Sequence, residues 1–266
     1  MERRRVLGLG SALLLAWAMP AVSAPPAAGL SLPAAVNKAG RQRMLSQRAA
    51  KAWLMMLTQV ETDRGRKILD ASVSLFDRQL AELTTLQPNP DIAAALGQLK
   101  TEWETSRAVL AKPPVMEAAP ALFKANESVL AAAHRLTLAY EKAQGGSFGR
   151  IIGLAGRQRM LSQRMAKFYF FQRAGVQVAD SKTALDKALG EFEQAQAELG
   201  KAPESTGAVR DELALVDQQW FFFKGALDQA DRSAQAASHV ATTSERILEQ
   251  LDLCVGLYEG MASRAS

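Results

Sequence analysis

Cysteine and histidine are almost absent from this chain, which contains one cysteine, Cys254, and two histidines, His134 and His239, among 266 residues. A single cysteine can form neither an internal disulfide nor a thiolate cluster for a metal. The histidines lack metal-ligand spacing, and no nucleophile–base pair or phosphate-binding loop is visible. We therefore predict no catalytic residue, no metal site and no cofactor, and an enzyme is the least favoured class of function.

Apolar runs long enough to cross a membrane are also missing after the start of the chain. A basic segment at 3–5, an apolar run at 6–19 and small residues ending at Ala24 follow the order of a secretory signal peptide. The apolar run is shorter than the roughly 20 residues of a spanning helix, although an uncleaved anchor is the alternative. We predict a signal peptide at 1–24, cleaved near Ala24, and a soluble periplasmic chain.

Charge of one sign is in only small excess, with 32 basic and 27 acidic residues and a net charge of +5. The two signs are mixed along the chain, which is typical of solvated helix faces. Export also argues against contact with the genome. We therefore predict no nucleic-acid partner.

An internal repeat is the main feature that the chain does have. The ten residues AGRQRMLSQR occupy 39–48 and occur again at 155–164. The similarity continues along both copies, with an offset that drifts only from 116 to 118 residues, so insertions are confined to turns. The repeat predicts two domains of one fold, at 30–144 and 147–262.

Each copy is predicted to contain four helices separated by short proline- or glycine-rich breaks. Ser31 and Asp91 are the expected caps of the first and third helices, and no segment alternates like a strand. We predict an all-α fold of two tandem antiparallel four-helix bundles. The Gly145-Gly146 junction is either a turn or a point where two helices continue as one rod.

The repeated helix carries polar side chains inside a stripe of small and apolar residues. Gly40, Arg43 and Gln47 recur at spacings of three and four, with Ser46 beside them. Arginine holds anions through bidentate hydrogen bonds and stays charged. The candidate ligand-binding residues of the two copies are Arg43, Ser46, Gln47, Arg159, Ser162 and Gln163. In the alternative interpretation, these arginines are solvated or paired with Asp and Glu of neighbouring helices.

The segments NKAGRQRMLSQR at 37–48 and GLAGRQRMLSQR at 153–164 resemble the signature of the PilJ-type domain. That domain is the N-terminal extracytoplasmic region of type IV pilus chemotaxis transducers. The segments are also similar to the sensor domain of nitrate/nitrite sensor kinases. The resemblance implies that Arg43, and Arg159 in the second copy, hold an anion at a helix interface. Arg41 and Arg157 depart from the pattern expected of nitrate sensors.

The resemblance leaves two functions open. In the first, the protein is a periplasmic sensing or binding protein for a small anion, with nitrate or nitrite as first candidates. The chain shows no HAMP, kinase or methyl-accepting region, so the bound state would pass to a membrane-bound signalling or transport protein. In the second, it is a structural or adaptor module for a membrane receptor or a type IV pilus component, without a small-molecule ligand.

The packing of the two copies decides how a two-arginine site can form. If the first helices of both copies pack side by side, Arg43 and Arg159 face each other across an intrachain seam. End-to-end stacking would separate them, and the site would then need a homodimer. Two aromatic runs, at 168–171 and 220–223, are too long to face one core, so some rings are expected to meet the other bundle, a second chain or a partner.

Overall fold

A computed structural model describes residues 29–228 and 233–265, and the predicted signal peptide lies outside these residues. Within them the chain is all-α, as predicted, and contains no strand. The helices are α1 (Leu32–Leu57), α2 (Thr62–Leu83), α3 (Pro90–Leu110), α4 (Ala119–Gln144), α5 (Gly146–Arg173), α6 (Val178–Lys201), α7 (Gly207–Asp228) and α8 (Ala234–Ala265), with a 3₁₀ turn (Met116–Ala118) before α4. None of the helices in this part of the chain has the length and hydropathy of a membrane span.

Side-chain caps explain where two of the helices begin. The Ser31 hydroxyl accepts a hydrogen bond from the Ala34 amide at 3.4 Å, as predicted for α1. The cap of α3 is Asn89, whose side chain accepts from the Ile92 amide at 3.0 Å. The prediction that Asp91 caps α3 was therefore wrong. Asp91 lies in the first turn, where its charge complements the helix dipole.

The break between α1 and α2 lies just before the predicted position at Thr62–Gly65. It contains Gln59 and Glu61, which have positive φ values of 56° and 46° although neither is glycine. Gly65 lies inside α2, where a Cβ would stand 3.1 Å from the Ala52 carbonyl oxygen. That glycine therefore allows α2 to approach α1 closely and does not mark the turn.

Each copy folds into an antiparallel four-helix bundle, α1–α4 and α5–α8. In the first bundle Phe76 of α2 stacks on Trp103 of α3, with ring centroids 3.7 Å apart. In the second bundle Phe192 of α6 stacks on Trp220 of α7 in the same way, at 4.4 Å. The repeated sequence thus builds the same aromatic contact twice, between the residues that the repeat aligns.

The Gly145-Gly146 junction is a turn that reverses the chain. Gly145 and Gly146 have φ values of 65° and 60°, which glycine adopts without a Cβ clash. Phe123 near the start of α4 packs against Phe171 near the end of α5, with centroids 5.1 Å apart. Since opposite ends of the two helices meet, α4 and α5 form a hairpin. Of the two predicted alternatives, the turn is therefore correct and the continuous rod is not.

The two bundles pack side by side through α1 and α5, which run parallel to each other. Gly40 and Gly156 face each other where these helices cross, since a Cβ built on Gly156 would lie 4.0 Å from the Gly40 Cα. Further along, Lys51 of α1 donates to the side chain of Gln163 of α5 at 2.7 Å. Equivalent segments are therefore opposed around a pseudo-twofold axis, and end-to-end stacking does not occur.

The two aromatic runs differ in how far their side chains are buried. All four residues of 168–171 are buried, and Phe168 and Phe171 contact Phe123 of the other bundle. In the second run Phe223 is buried, while Phe221 and Phe222 are 76% and 65% exposed. The first run thus meets the other bundle, as one of the predicted alternatives requires.

Candidate ligand site in the interhelical seam

The seam between α1 and α5 contains basic side chains that are almost completely buried. Arg43 is 2% exposed, and Arg159, Lys51 and Lys167 are fully buried. Burial of a charge is unfavourable unless the charge is paired and hydrogen-bonded. These residues form an arginine layer around Arg43 and Arg159, at the glycine crossing, and a lysine layer around Lys51 and Lys167, nearer the C-terminal ends of α1 and α5.

In the lysine layer each lysine reaches a carboxylate of the other copy. Lys51 Nζ of the first copy donates to Glu245 Oε1 of α8 at 2.6 Å. Lys167 Nζ of the second copy donates to Glu127 Oε1 of α4 at 2.6 Å. Burial lowers the pKa of both lysines, and the neighbouring carboxylates offset part of that effect. The exchanged pairs join the two bundles and obey the pseudo-twofold symmetry.

Two arginines of the repeated motif complete these carboxylate pairs. Arg48 Nε donates to Glu245 Oε1 at 3.1 Å, and Arg164 Nη2 donates to Glu127 Oε2 at 2.8 Å. Burial raises the pKa of both carboxyl groups, but the adjacent cations outweigh it and lower the pKa of Glu127 and Glu245 from 4.5 to about 2. The two glutamates are therefore ionised at neutral pH.

The predicted glutamines belong to the lysine layer. Gln47 Nε2 donates to Asn126 Oδ1 at 2.9 Å. Gln163 accepts from Lys51 through Oε1 and donates through Nε2 to the Ser244 carbonyl at 2.8 Å. Gln47 thus joins α1 to α4, and Gln163 joins α5 to α8. The structure shows no hydrogen bond between either glutamine and the arginine pair.

The predicted serines bond to their own helices. The Ser46 hydroxyl donates to the Arg43 carbonyl at 2.8 Å, and the Ser162 hydroxyl donates to the Arg159 carbonyl at 2.9 Å. Neither hydroxyl touches a guanidinium group, so the expected shell of serine and glutamine around the two arginines is not present. The structure brings Arg43 and Arg159 together and separates them from the other four predicted residues.

The arginine layer fills the space left by the two glycines at the crossing. A Cβ on Gly40 would lie 3.4 Å from Nη2 of Arg43 and 3.9 Å from Nη2 of Arg159. A Cβ on Gly156 would lie 3.4 Å from Nη2 of Arg159 and 3.6 Å from Nη2 of Arg43. Both guanidinium groups therefore point at the same small region, within one chain, as side-by-side packing predicts.

Arg159 is neutralised by an internal carboxylate. Its Nη1 donates to Asp252 Oδ1 of α8, and its Nη2 donates to Asn37 Oδ1 of α1 at 2.8 Å. Arg41 Nη2 also donates to Asp252, at 3.1 Å. Burial raises the pKa of Asp252, but Arg159 and Arg41 outweigh it, so the pKa falls below its usual value of 3.8. Pairing with a neighbouring helix, the alternative interpretation, thus describes Arg159.

Arg43 has no such counter-charge. Its Nη2 donates to the Gly153 carbonyl at 3.0 Å, its Nη1 lies 3.4 Å from His134 Nδ1, and its Nε is buried without a hydrogen-bond partner. No carboxylate of the described residues has an oxygen within 4.0 Å of its guanidinium nitrogens. Burial lowers the pKa of Arg43 to about 10, although Glu141 opposes the shift from a greater distance. Arg43 is therefore a buried cation with only neutral partners.

A cavity of about 250 Å³ lies beside Arg43, between α4, α5 and α6. His134 of α4 and Arg157 of α5 line it together with Arg43. Burial lowers the pKa of His134, and the charges of Arg43 and Arg157 lower it further, so the imidazole is neutral at pH 7. The cavity thus lies between the two bundles, next to the buried guanidinium.

Several residues of the two layers were not predicted from the sequence. They are Asn37, Lys51, Asn126, Glu127, His134, Lys167, Ser244, Glu245 and Asp252. Lys51 and Lys167 extend the repeated motif, and Glu127 and Glu245 are aligned by the same repeat. A charged residue present in both copies within an otherwise apolar helix was the available signal.

The fold and the seam define a class of protein: a helical-bundle module, repeated within one chain and joined by buried polar layers. The chain belongs to the PilJ family, described as the type IV pili methyl-accepting chemotaxis transducer N-terminal domain, whose family model matches residues 30–129 and 142–245. This confirms the family predicted from the repeated motif. No curated protein and no solved structure matches the chain significantly. Similarity to nitrate sensors is not among the matches.

Proposed function

We propose that this protein is a periplasmic sensory module that binds a small anion at Arg43 and passes the bound state to a membrane-bound partner. One observation supports the anion: Arg43 is buried beside a cavity and pairs with no carboxylate of the described residues, while its counterpart Arg159 is paired with Asp252. A buried guanidinium with neutral partners lacks compensation for its desolvation. An anion that reaches Arg43 would supply charge-assisted hydrogen bonds.

An anion shared equally by both arginines is the form of the site that the family resemblance implies. In this chain Asp252 already occupies Nη1 of Arg159, so a shared anion would compete with an internal carboxylate. Arg43 has no such competitor. We therefore place the ligand on the Arg43 side of the crossing.

Binding at Arg43 would couple the ligand to the packing of the two bundles. The guanidinium belongs to α1, and its carbonyl acceptor, Gly153, belongs to α5. An anion that competes for Nη2 would weaken this contact across the seam. A ligand shifts a conformational equilibrium only by its differential affinity for the two states, and this contact provides such a difference.

Ligand-dependent thermal unfolding at constant ionic strength tests the proposal, with nitrate and nitrite first and chloride as the reference. A ligand at a hundred times its Kd stabilises the folded state by about 2.7 kcal/mol. In a chain of this size, each kcal/mol of added stability raises Tm by roughly 2–4 °C. Arg43→Met should remove the shift.

Arg159→Met is the matched control, because it removes the equivalent side chain from the half-site that is already neutralised. This variant should lower the starting Tm and keep the anion-dependent shift. The proposal fails if no anion changes the Tm of the native protein. It also fails if Arg43→Met retains the full shift.

A second candidate function, an adaptor that docks on the periplasmic part of a chemotaxis receptor, is supported by Phe221 and Phe222. Their rings are 5.6 Å apart and are 76% and 65% exposed on α7. Exposed neighbouring aromatic side chains are typical of interaction surfaces. Replacement of both by Ser should abolish binding to the purified receptor region, whereas Leu253→Ser, at another exposed apolar site, should not. Undiminished binding by the double variant would exclude this role for the pair.

A further inference from the structure

The cavity beside Arg43 is larger than a small inorganic anion requires. Its volume is about 250 Å³. A water molecule takes about 30 Å³ in the liquid, so the cavity is several times larger than a single water-sized group. An ion as small as nitrate would fill only the part next to Arg43. The other lining residues come from α4, α5 and α6.

Part of the cavity wall is apolar. The apolar lining residues are Leu130 and Ala131 of α4, Met160 of α5, and Ala184 and Ala188 of α6. An inorganic anion has no apolar surface, so contact with such a wall does not stabilise its binding. A hydrocarbon group gains free energy in proportion to the apolar area removed from water.

Two ion pairs line the cavity. Arg157 Nη2 lies 2.9 Å from Glu191 Oε2, and Arg164 Nη2 lies 2.8 Å from Glu127 Oε2. Glu191 is therefore already engaged by Arg157, and Glu127 is shared by Arg164 and Lys167. Neither carboxylate pairs with Arg43.

Two further groups set the sign of the site. Lys187 of α6 lines the cavity, and its Nζ is 3.9 Å from Glu191 with the side chain 77% exposed, which is a weak contact. Arg43 lies at the inner end, and His134 beside it is neutral because burial lowers its pKa. Glu141 does not line the cavity, and burial raises its pKa although Arg43 and Arg157 oppose the shift. The cavity thus offers one buried and one exposed cation above an apolar wall.

The second copy does not repeat this arrangement. The offset of 116 that aligns Phe76 with Phe192 places Ala71 at the position of Lys187 and Leu75 at that of Glu191. The position of His134 is taken by Asp252, which binds Arg159. Lys187, Glu191 and His134 are therefore specific to the Arg43 side, whereas Glu127, Arg157 and Arg164 correspond to Glu245, Arg41 and Arg48 on the Arg159 side.

From these observations we infer that the cavity binds an organic carboxylate with a short aliphatic or aromatic body. This rests on the proposed anion-sensing function. The carboxylate engages Arg43, and the body lies against Leu130, Met160 and the alanines of α6. A carboxylate offers two oxygens to the planar guanidinium, which suits bidentate binding. The ligand class is thus set by one buried cation and an apolar wall.

Isothermal titration with benzoate, hexanoate, nitrate and the neutral analogue benzamide tests the inference on the full mature chain. Benzoate and hexanoate should bind at least about tenfold more tightly than nitrate, because only they bury apolar area. Benzamide should not bind measurably, since it has the body without the charge. Arg43→Met should abolish binding of every anion.

Ala184→Leu fills the apolar part of the cavity and leaves Arg43 in place. This variant should weaken the binding of benzoate at least about tenfold and leave the binding of nitrate unchanged. Ala131→Leu, on the opposite wall, is a second variant in case the first does not fold. Nitrate binding without benzoate binding would overturn this inference and leave the proposed function intact. If no anion binds, both are wrong, and benzoate binding unaffected by either leucine would exclude this cavity.

Discussion

His134 and Asp252 occupy equivalent positions in the two copies, and each contacts the motif arginine of its own copy. His134 Nδ1 lies 3.4 Å from Arg43 Nη1, and Asp252 Oδ1 accepts a hydrogen bond from Arg159 Nη1. A homodimer of one module must carry the same residue in both halves, because symmetry repeats every contact. A tandem repeat within one chain removes that constraint. Here one half carries its own counter-charge and the other half does not.

The first prediction concerns this difference. His134→Asp should place a carboxylate beside Arg43, as Asp252 is placed beside Arg159, and so supply internally the charge that a ligand would supply. We expect an unchanged or higher Tm and the loss of any anion-dependent shift. His134→Gln, which adds no charge, should keep the shift. A full ligand response in His134→Asp would show that the anion does not bind at Arg43.

The second prediction concerns Asp252. Asp252→Asn leaves the fully buried Arg159 with no carboxylate. Removal of one partner of a buried pair costs about 3–5 kcal/mol, and we expect the lower end because the Asp252 side chain is 38% exposed. Urea unfolding measures the loss. Arg41→Met, which removes only the more exposed partner of Asp252, should cost less, and equal losses would argue against the pairing described here.

The third prediction compares the two exchanged pairs of the lysine layer. Glu245 is 9% exposed at its side chain and Glu127 is 33% exposed, while Lys51 and Lys167 are both fully buried. Glu245→Gln should therefore lower the free energy of unfolding by about 3–5 kcal/mol, and Glu127→Gln by less. Chemical denaturation of both variants under identical conditions checks the order. The reverse order would mean that burial does not set the strength of these pairs.

The fourth prediction is a loss of stability in acid. The pKa of Glu127 and of Glu245 is lowered to about 2 by the adjacent cations against the effect of burial, from 4.5 in the unfolded chain. A carboxyl group with a lowered folded-state pKa contributes stability that is complete above its unfolded pKa and is lost as pH falls through the folded value. Stability should therefore decrease between about pH 4.5 and about pH 2.

Urea unfolding at a series of pH values from neutral to acid tests this prediction. The double variant Glu127→Gln, Glu245→Gln is the control, since it lacks both groups and should show a much weaker dependence on pH over the same range. A dependence equal to that of the native protein would assign the acid effect to other carboxylates, such as Asp252.

Local sequence patterns determined the secondary structure and the family of this protein. Ser31, the prolines and Gly145-Gly146 mark helix ends because capping and φ restrictions act over a few residues. The repeated AGRQRMLSQR motif identified two copies of one module and located both motif arginines. The cap of α3 is Asn89 and not Asp91. Both residue types suit a cap position, so the sequence alone does not decide between two neighbouring candidates.

Only the tertiary structure decided what surrounds those arginines. α1 is buried on nearly all sides, against α2, α4, α5 and α8, so helical periodicity does not reveal which neighbour each polar residue meets. The contact of Arg159 with Asp252 joins α5 and α8 of one bundle, whereas that of Lys51 with Glu245 joins the two bundles. Pairings between the bundles depend on how two parallel helices cross at Gly40 and Gly156, a geometry that arises only when the two bundles pack together.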